Sequence, residues 1–362
     1  MIKSSIRQSA EVLYKKEFEA LVKADNNPKP ANWQMSPWSV VQYIIGGKLK
    51  DGTEISPKYV GKKSLIEICV ATLLSERALL LTGVPGTAKT WISEHLAAAI
   101  SGNSGLFVQG TSGTHEDAIK YGWNYASLIA HGPTREGLIP SVIMKAMETG
   151  GIARIEELSR IPTETQDALI SILSEKNIII HELEKIIEGN KGFNIIATAN
   201  DLDRGIYEMS SALKRRFNIV QMPLPENLEE ETKIVRYRVQ QMGRLIEAPL
   251  ADLKEKQIQT LLTLFRELRE GKTEDKKTKI RACKTSLSPA IAISIIHEAR
   301  IHAHYFDNNE IRNDYLVKGL IHTLRQEGEE ELQILQEYNE SVLKKRTEYK
   351  EWYNLIKKLD KD

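Results

Sequence analysis

The sequence has 362 residues, of which 41% are hydrophobic and 27% are charged, and this composition predicts a soluble globular protein of two or three domains. Fifty basic against 49 acidic residues give a formal net charge of +1, so the overall charge does not favour a polyanionic partner. With only two cysteines and no apolar stretch long enough for a signal peptide or a membrane span, we expect a cytoplasmic protein that does not insert into membranes.

An N-terminal helical appendage is predicted for residues 1–56. Apolar residues recur at helical spacing from Ile2 to Val22, and Trp38 to Ile45 predicts another short helix. The tryptophans of this region, Trp33 and Trp38, could form a docking surface. We favour the alternative, in which they pack onto the main domain.

From Pro57 onward, helices alternate with short apolar strands, which predicts an α/β domain with a parallel sheet. After a helix over Ser64–Ser75, the predicted strands are Ala78–Leu81, Leu106–Gln109, Gly151–Ile155, Phe193–Ala199 and Ile219–Met222. Their nearly continuous apolar character is typical of strands that are buried on both faces. Because ligands bind beyond the carboxyl ends of such strands, the residues that follow each strand are the candidates for chemistry.

A glycine-rich turn, GVPGTAKT, joins the first strand to a predicted helix over Trp91–Ile100. Strand, turn and helix form the phosphate-binding unit of nucleotide-binding proteins, in which backbone N–H groups face the anion. The candidate nucleotide-binding residues are Gly83, Val84, Pro85, Gly86, Thr87, Ala88, Lys89, Thr90 and Trp91. Lys89 would contact the outer phosphates and Thr90 would offer a hydroxyl to Mg²⁺. The strict pattern has glycine in place of Ala88, and the alternative is an ordinary glycine turn.

Polar side chains follow the third and fourth strands. Glu156 and Glu157 end the segment GGIARIEEL, and Asn200 follows FNIIATA. Neighbouring strand residues point to opposite sides, so one carboxylate can face a metal ion and the other an attacking water. Asn200 can orient water or the γ-phosphate through hydrogen bonds. The alternatives are a solvated acidic pair and an asparagine that ends a strand in a turn.

Two arginines, Arg215 and Arg216, stand just before the fifth strand. Paired arginines are usually surface charges. In a phosphate-binding protein this position instead suggests a finger that reaches the γ-phosphate in a neighbouring subunit, a contribution of about a thousandfold in rate. We favour Arg216 over Arg215 for this role, and Arg160 is a weaker candidate for the same interface.

Beyond Pro225 the predicted strands cease. Glu226 to Glu327 predicts several helices with a charged break at Gly271–Lys279. The tail, Leu332 to Leu359, predicts one long charged helix with a partial seven-residue repeat that polar residues interrupt. Such a helix could form a short coiled coil, and folding against its own domain is an equally strong alternative.

Taken together, these motifs resemble those of the AAA+ ATPases and, within them, the MoxR family. GVPGTAKT is similar to that family's Walker A loop, including the alanine before the lysine. ELSRIPTETQDALISILSEK resembles the segment after its Walker B strand, NIIATAN its sensor 1 strand and MSSALKRRFN its arginine-finger helix. The resemblance is close over residues 57–225, and the variant motifs are similar to those of the YehL-like branch.

The resemblance implies an α/β fold with an AAA+ P-loop NTPase core over residues 57–225, in which helices sandwich a five-stranded parallel sheet. An all-α lid would follow over 226–328, and a charged C-terminal helix over 329–362. A helix-2 insert would lie within Tyr125–Ser141 and a hairpin before the sensor 1 strand within Lys176–Gly192. Relatives of this kind assemble into homo-oligomeric rings, typically hexamers, with ATP and Mg²⁺ as cofactors.

The resemblance also implies roles for single residues. Val60 and Gly61 would line the adenine pocket with their backbone. Thr90 and Glu156 would hold Mg²⁺, which leaves Glu157 to face the attacking water. Asn200, Arg215 and Arg216 would complete the catalytic set.

Two positions depart from the family pattern. Walker B normally ends in Asp-Glu, whereas Glu156 fills the place of the aspartate here. The lid motif usually reads Ser-Pro-Arg with the arginine as sensor 2, whereas this chain has Ala290. Arg281, Lys284 or Arg300 could substitute for the missing cation. We expect ATP hydrolysis, at a rate that these two positions could lower.

Three functions are therefore weighed. The leading one is a chaperone-like, Mg²⁺-ATP-driven remodeller of a protein partner, which the resemblance suggests is a von Willebrand factor A-domain protein. A second is an assembly module, in which ATP builds the ring and hydrolysis is vestigial. The third is a nucleic-acid motor, because relatives with helix-2 inserts translocate on DNA. Few basic residues lie near the insert (Lys120, His131 and Arg135), so its electrostatic support is weak.

Overall fold

A computed structural model describes residues 7–75, 77–200, 207–244, 250–252 and 254–359 of the chain. The chain divides into two units. The first contains Met1–Val84 and Ala88–Met222, and the second contains Pro85–Thr87 and Pro223–Asp362. Among the described residues, none of the helices combines the length and the apolar character that crossing a bilayer requires.

Short helices precede the sheet of the first unit. In chain order the elements are α1 (Ala10–Leu13), α2 (Lys15–Ala24), α3 (Pro37–Ile45), β1 (Gly47–Lys48), β2 (Glu54–Ile55) and α4 (Lys63–Leu74). The helix predicted from Ile2 to Val22 is interrupted at Tyr14, whose ψ of 24° leaves the helical range, and its residues before Arg7 lie outside the described residues. Trp33 is buried, as we favoured, whereas Trp38 is 62% exposed.

The remaining elements of the first unit alternate between strands and helices. They are β3 (Ala78–Thr82), α5 (Lys89–Ser101), β4 (Phe107–Gln109), α6 (Glu116–Ile119), β5 (Tyr121–Trp123), α7 (Tyr125–His131), β6 (Leu138–Pro140), α8 (Val142–Thr149), β7 (Ile152–Glu156), α9 (Thr163–Glu175), β8 (Asn177–Ile180), β9 (Lys185–Glu188), β10 (Asn194–Thr198), α10 (Ser211–Lys214) and β11 (Phe217–Gln221). A 3-10 turn, Leu158–Arg160, follows β7, and another, His181–Leu183, joins β8 to β9.

Five of these strands form the predicted parallel sheet, in the order β11-β3-β10-β7-β4. Side chains alternate along each strand, so the sheet separates two apolar clusters. Leu79 and Leu81 of β3 join the cluster that contains α5 and the N-terminal helices. Ala78 and Leu80 join the cluster that contains α8 and α9. Helices therefore cover both faces of the sheet, which confirms the predicted α/β fold.

Two antiparallel hairpins interrupt the alternating pattern. In the first, β5 pairs with β6 around α7; α7 and β6 lie within the stretch predicted for a helix-2 insert, Tyr125–Ser141, whereas β5 precedes it. In the second, β8 pairs with β9, within the stretch predicted for the hairpin before the sensor 1 strand. Both hairpins are local, because each pairs strands that are close in sequence.

The described part of the second unit is helical. Its helices are α11 (Leu228–Arg244), α12 (Glu255–Glu270), α13 (Pro289–Phe306), α14 (Asn313–Glu327), α15 (Glu329–Ser341) and α16 (Lys350–Leu359). Two 3-10 turns, Leu343–Lys345 and Thr347–Tyr349, join α15 to α16. The prediction of one long helix over the tail is therefore wrong.

The tail folds back because its apolar residues belong to the core of the second unit. Leu335, Val342 and Ile356 are buried in the same cluster as residues of α12, α13 and α14. Arg346, which interrupts the seven-residue repeat, donates two hydrogen bonds to the carboxylate of Glu267, at 3.1 and 2.9 Å. The polar residue that weakened a coiled coil thus forms a partly buried ion pair within the unit.

Candidate functional site

The glycine-rich turn lies at the carboxyl edge of the sheet, directly after β3. Gly83 and Gly86 have positive φ angles of 137° and 82°. Ala88, which precedes α5, is also left-handed, with φ 64° and ψ 22°. Residues other than glycine pay a steric penalty in this region. The strict pattern's preference for glycine at this position thus has a conformational cause, and the alanine adopts the same conformation.

The ammonium group of Lys89 folds over this turn. Its Nζ donates to the carbonyl oxygen of Gly83 at 2.7 Å and to that of Val84 at 2.9 Å. The side chain is largely buried. A lysine in this position places a positive charge beside the space that the turn encloses, where an anion can bind.

The carboxylate of Glu156 lies at the end of β7 and is 2% exposed. Its Oε2 accepts hydrogen bonds from the hydroxyls of Thr90 and Thr198, both at 2.8 Å. Its Oε1 accepts hydrogen bonds from the Ser93 hydroxyl at 2.6 Å and from the Arg154 guanidinium at 2.7 Å. The structure therefore brings together Thr90 and Glu156, the two predicted metal ligands.

Glu156 is ionised in this environment at neutral pH. Burial by itself raises the pKa of the carboxyl group. The positive charge of Arg154 and the hydrogen bonds from Ser93, Thr198 and Thr90 outweigh burial, and together they hold the pKa below its usual range. A charged oxygen ligand is therefore available at the end of β7.

The donor set at this position fits Mg²⁺. Thr90 Oγ1 and Glu156 Oε2 are 2.8 Å apart, and hydroxyl and carboxylate oxygens are hard ligands. Mg²⁺ typically uses one or two carboxylates together with phosphate oxygens and water. Among the described residues, no group of three or more His, Cys, Asp or Glu side chains could hold a metal ion.

Glu157 lies just beyond the end of β7, so the alternation of side chains along a strand does not set its direction. The strand ends at Glu156, and Glu157 adopts a left-handed conformation with φ 57° and ψ 50°. Its backbone N–H donates to Thr198 Oγ1 at 3.0 Å. Its carboxylate lies 2.7 Å from Nε of Arg160. The structure therefore places Arg160 beside Glu157 of the same chain.

Asn200 lies at the same edge of the sheet. It comes two residues after β10, and the preceding residue, Ala199, donates its N–H to the carbonyl oxygen of Leu81 in β3 at 3.0 Å. The side chain of Asn200 is half-buried. This register places Asn200 next to the strand that leads into the glycine-rich turn.

The candidate adenine-pocket residues are connected to α5 through Trp91. Its indole Nε1 donates to the carbonyl oxygen of Lys58 at 2.9 Å, and its ring centroid lies 4.2 Å from that of His95. Val60 and Gly61 follow Lys58 by two and three residues and are not buried. The structure thus ties the segment before Val60 to the first turn of α5.

Arg215 and Arg216 lie at the opposite, amino edge of the sheet. The carbonyl oxygen of Arg216 accepts a hydrogen bond from the N–H of Ala78, the first residue of β3, at 3.1 Å. Five residues of β3 separate this edge from the glycine-rich turn, a distance of about 16 Å at 3.3 Å per residue. The Arg216 guanidinium donates to Ser174 Oγ and to the carbonyl oxygen of Ala212. Neither arginine approaches the turn of its own chain.

The candidate substitutes for a sensor 2 arginine have partners within the second unit. Arg281 and Lys284 both form ion pairs with Glu330. Arg300 is buried and donates to three backbone carbonyl oxygens, including that of Val239 at 2.9 Å. Ala290 is the second residue of α13. Among the described residues of the second unit, no contact singles out one of the three cations.

Sequence reasoning missed three residues of the site: Ser93, Arg154 and Thr198. Arg154 stands two residues before Glu156, so the period of two along a strand predicts that both side chains share a face. Ser93 comes three residues after Thr90 in α5, a spacing that places both on one side of the helix. These two spacings could have indicated that Arg154 and Ser93 lie beside Glu156 and Thr90.

The chain is similar to known proteins in both of its units. Residues 78–217 match the AAA domain of the dynein-related subfamily, and residues 229–360 match the YehL-like AAA+ ATPase C-terminal domain. An uncharacterized protein of Staphylococcus haemolyticus is 28% identical over 145 residues, which span 40% of this chain and 54% of that protein. NtrX from Brucella abortus in complex with ATP covers 74% of this chain and 55% of its own, at 16% identity and a TM-score of 0.48.

One relative matches this chain over most of its own length. YehL of Escherichia coli K12 is 38% identical over 341 residues, which span 92% of this chain and 91% of YehL. The match runs through both units of the structure and includes the glycine-rich turn, the acidic pair and the helical C-terminal part. The chain therefore belongs to the YehL-like AAA+ ATPases.

Proposed function

We propose that this chain hydrolyses Mg²⁺-ATP and uses the reaction to remodel or activate a protein partner. The observation that carries the proposal is the assembly of Lys89, Thr90 and the ionised Glu156 around the glycine-rich turn at the carboxyl edge of the sheet. A buried cation and a hydroxyl at the first turn of a helix, together with a carboxylate at the end of a nearby strand, are the groups that bind a nucleoside triphosphate and its metal.

Each residue has a role in this proposal. The backbone from Gly83 to Ala88 binds the phosphates, and Lys89 exchanges its carbonyl partners for the outer phosphate oxygens. Thr90 and Glu156 hold Mg²⁺, which supplies charge neutralisation when it is bound. Glu157 and Asn200 orient and activate the attacking water. On the other side of the nucleotide, Val60, Gly61 and Trp91 contact the adenine.

The proposal includes a ring of identical chains. Arg216 lies at the edge of the sheet opposite the glycine-rich turn, so it serves a site only from a neighbouring subunit. A head-to-tail arrangement supplies one such arginine to each site, and a ring closes the arrangement. We propose a hexamer, with Arg216 rather than Arg215 as the finger.

For the partner we propose a von Willebrand factor A-domain protein, in the cytoplasm. The support is the resemblance of the motifs to those of the MoxR family. Nucleic acid is not the proposed partner, because the net charge is +1 and phosphate binding depends on basic side chains. Proteins that co-purify with a Glu157→Gln variant test this choice, and specific enrichment of nucleic acid would contradict it.

The test of the enzymatic proposal is ATP turnover by the purified chain. Wild type is expected to release phosphate from ATP in the presence of Mg²⁺, and Lys89→Ala is expected to lower the rate at least a hundredfold. An exposed lysine, Lys63 in α4, provides the matched control, and Lys63→Ala is expected to turn over ATP like wild type. Equal rates for wild type and Lys89→Ala, with and without candidate partners, would refute the proposal.

A second candidate function is a nucleotide-gated assembly module with vestigial hydrolysis. The observations that favour it are the alanine at position 290 and the ion pair between Glu157 and Arg160, which engages the proposed catalytic carboxylate. In this case ATP would drive oligomerisation while phosphate release stayed at the Lys89→Ala background. Light scattering and turnover measured on the same sample separate the two functions.

A further inference from the structure

Arg154 is a charged residue in the middle of a buried strand. It lies in β7, between Ala153 and Ile155, whose side chains join the apolar cluster on the opposite face. The Arg154 side chain points to the α5 side of the sheet, and the residue is 4% exposed. Burial of a guanidinium is costly unless the group is paired and fully hydrogen-bonded. Its position therefore requires an explanation.

The guanidinium is fixed by contacts from three parts of the unit. Nε lies 3.2 Å from the Ser93 hydroxyl of α5. One terminal nitrogen donates to the carbonyl oxygen of Ser104 at 2.7 Å, and the other donates to Glu156 Oε1 at 2.7 Å. The ring of Phe107 lies 5.4 Å from the guanidinium carbon. These contacts leave the arginine a single orientation, with one end on the carboxylate.

The two oxygens of Glu156 therefore have different neighbours. Arg154 and Ser93 bind Oε1, whereas Thr90 and Thr198 bind Oε2. We propose that Arg154 is a positioning residue of the Mg²⁺ site, which holds Oε1 so that Oε2 stays turned toward Thr90 and the metal. This inference rests on the proposed function, because the metal belongs to the nucleotide that the site would bind.

The proposal accounts for a glutamate at position 156, where the Walker B pattern has aspartate. Arg154 and Glu156 are two residues apart on one face of a strand, about 6.6 Å along it. The longer side chain of glutamate reaches the guanidinium with one oxygen and Thr90 with the other. Arg154 thus restrains the Glu156 side chain, which is longer and more flexible than the side chain of an aspartate.

The sign of the change in Mg²⁺ affinity tests the proposal. The Mg²⁺ concentration that half-saturates binding of a fluorescent ADP analogue is measured for wild type and for Arg154→Met. Removal of a positive charge alone would strengthen Mg²⁺ binding, because the guanidinium and the metal ion repel each other. Loss of a positioning partner weakens it, by about tenfold or more. We expect the half-saturating concentration to rise about tenfold, and an unchanged or lower value would overturn the proposal.

Two further variants separate geometry from charge and from folding. Arg154→Lys keeps the charge without the planar fork, so we expect nearly the same loss, and wild-type affinity in this variant would overturn the proposal. Arg346→Met breaks the comparable arginine–glutamate pair of the second unit. It is expected to lower the melting temperature and to leave the half-saturating Mg²⁺ concentration unchanged.

Ser93→Ala provides a second test if Arg154→Met does not fold. Ser93→Ala removes the other donor to Oε1 and is expected to raise the half-saturating Mg²⁺ concentration about threefold, a smaller effect than loss of the charged donor. No change in this variant would count against the role of the Oε1 contacts. If wild type itself shows no Mg²⁺-dependent nucleotide binding, the proposed function fails. If wild type binds and the variants match it, only the role of Arg154 fails.

Discussion

Ala88 shows how one residue of the glycine-rich turn departs from the strict pattern without losing its conformation. Its φ of 64° lies in the left-handed region, where a Cβ atom costs about 1–2 kcal/mol. The loss is partly offset in the unfolded chain, because alanine has less conformational freedom than glycine, worth about 0.4–1 kcal/mol. The balance leaves a modest net strain in the folded chain.

Ala88→Gly should therefore increase stability. We expect the free energy of unfolding to rise by about 0.5–1 kcal/mol, since relief of the left-handed strain exceeds the added flexibility of the unfolded chain. Urea denaturation measures the change. Ala97→Gly, in the interior of α5, is the control and should lower the free energy of unfolding by about 1 kcal/mol. A loss of stability in both variants would show that Ala88 is unstrained.

The pattern of residues predicted the site only in part. Lys89, Thr90 and Glu156 were predicted because motif spacing and strand ends place them at one edge of the sheet. The structure joins Thr90 to Glu156 and places the Lys89 ammonium on the glycine-rich turn. Ser93, Arg154 and Thr198 were missed because their role comes from contacts between α5, β7 and β10. The direction of Glu157 follows from a left-handed residue, which nothing in the residue type predicts.

At the scale of elements, the periodic and apolar segments were predicted well and the tail was not. All five sheet strands lie within two residues of their predicted bounds, because buried parallel strands have continuous apolar runs. The helical spacing of apolar residues continues from Leu332 to Leu359, so the sequence pattern does not predict the turns between α15 and α16. Tertiary packing of Val342 and Leu343 in the core ends the helix instead.

Lys58 connects the N-terminal helices to the segment that precedes Val60. Its side chain is 0% exposed and pairs with Glu17 of α2, and its ammonium lies 4.2 and 4.4 Å from the ring centroids of Tyr14 and Tyr43. Burial lowers the pKa of Lys58 to about 8, against the opposing effect of Glu17. Burial raises the pKa of Tyr43, so that hydroxyl does not titrate in the same range.

This pairing predicts a pH dependence of stability. Between about pH 8 and the unfolded-state pKa near 10.4, the unfolded chain holds more protons at Lys58 than the folded chain. The contribution of this group to the free energy of unfolding therefore increases with pH in that window, and is lowest below about pH 8. From pH 7.5 to 9.5 we expect wild type to gain about 1–2 kcal/mol relative to Lys58→Met.

Urea denaturation of both chains at the two pH values measures this difference. Lys63→Met, which replaces an exposed lysine of α4, is the control and should follow wild type at both pH values. A constant difference between wild type and Lys58→Met would mean that Lys58 does not titrate in this window.

The folded tail makes Trp352 a core residue of the second unit. It lies in α16, is 4% exposed and belongs to the cluster formed with α12, α13 and α14. Trp352→Ala should lower the free energy of unfolding by about 3–5 kcal/mol, the usual loss for a large buried aromatic. Trp38→Ala, at an exposed position, should change it by about 0.5 kcal/mol or less. Calorimetry compares the two, and equal effects would contradict the packing of the tail.

At the scale of the whole molecule, the site is divided between the two edges of one sheet. The residues proposed to bind phosphate, metal and water lie at the carboxyl edge, and Arg215 and Arg216 lie at the amino edge. A single chain therefore holds the two halves of the proposed catalytic set apart. A chain with this arrangement should hydrolyse ATP only when the amino edge of a neighbour approaches its nucleotide, which makes activity dependent on assembly.

Mixing two inactive variants tests this division. Glu157→Gln removes the proposed base and Arg216→Ala removes the proposed finger, so each variant alone should release phosphate at the Lys89→Ala background. In a random equal mixture, about a quarter of the interfaces join an intact Glu157 to a neighbour's intact Arg216, since the interface is head-to-tail. We expect about a quarter of wild-type turnover, if the interfaces act independently.

The control for this experiment is a mixture in which complementation is impossible. Lys89→Ala and Glu157→Gln both damage the carboxyl edge, so every site in their mixture lacks one of the two residues, whichever neighbours meet. Turnover should remain at background in that mixture. Size-exclusion chromatography should show that mixed assemblies form to the same extent as in the first mixture. Recovery there, or no recovery with Arg216→Ala in confirmed mixed assemblies, would contradict a finger supplied from the neighbouring chain. If only the mixture of Glu157→Gln and Arg216→Ala recovers turnover, the arginine must act on the site of a neighbouring subunit. No single chain in that mixture carries both Glu157 and Arg216.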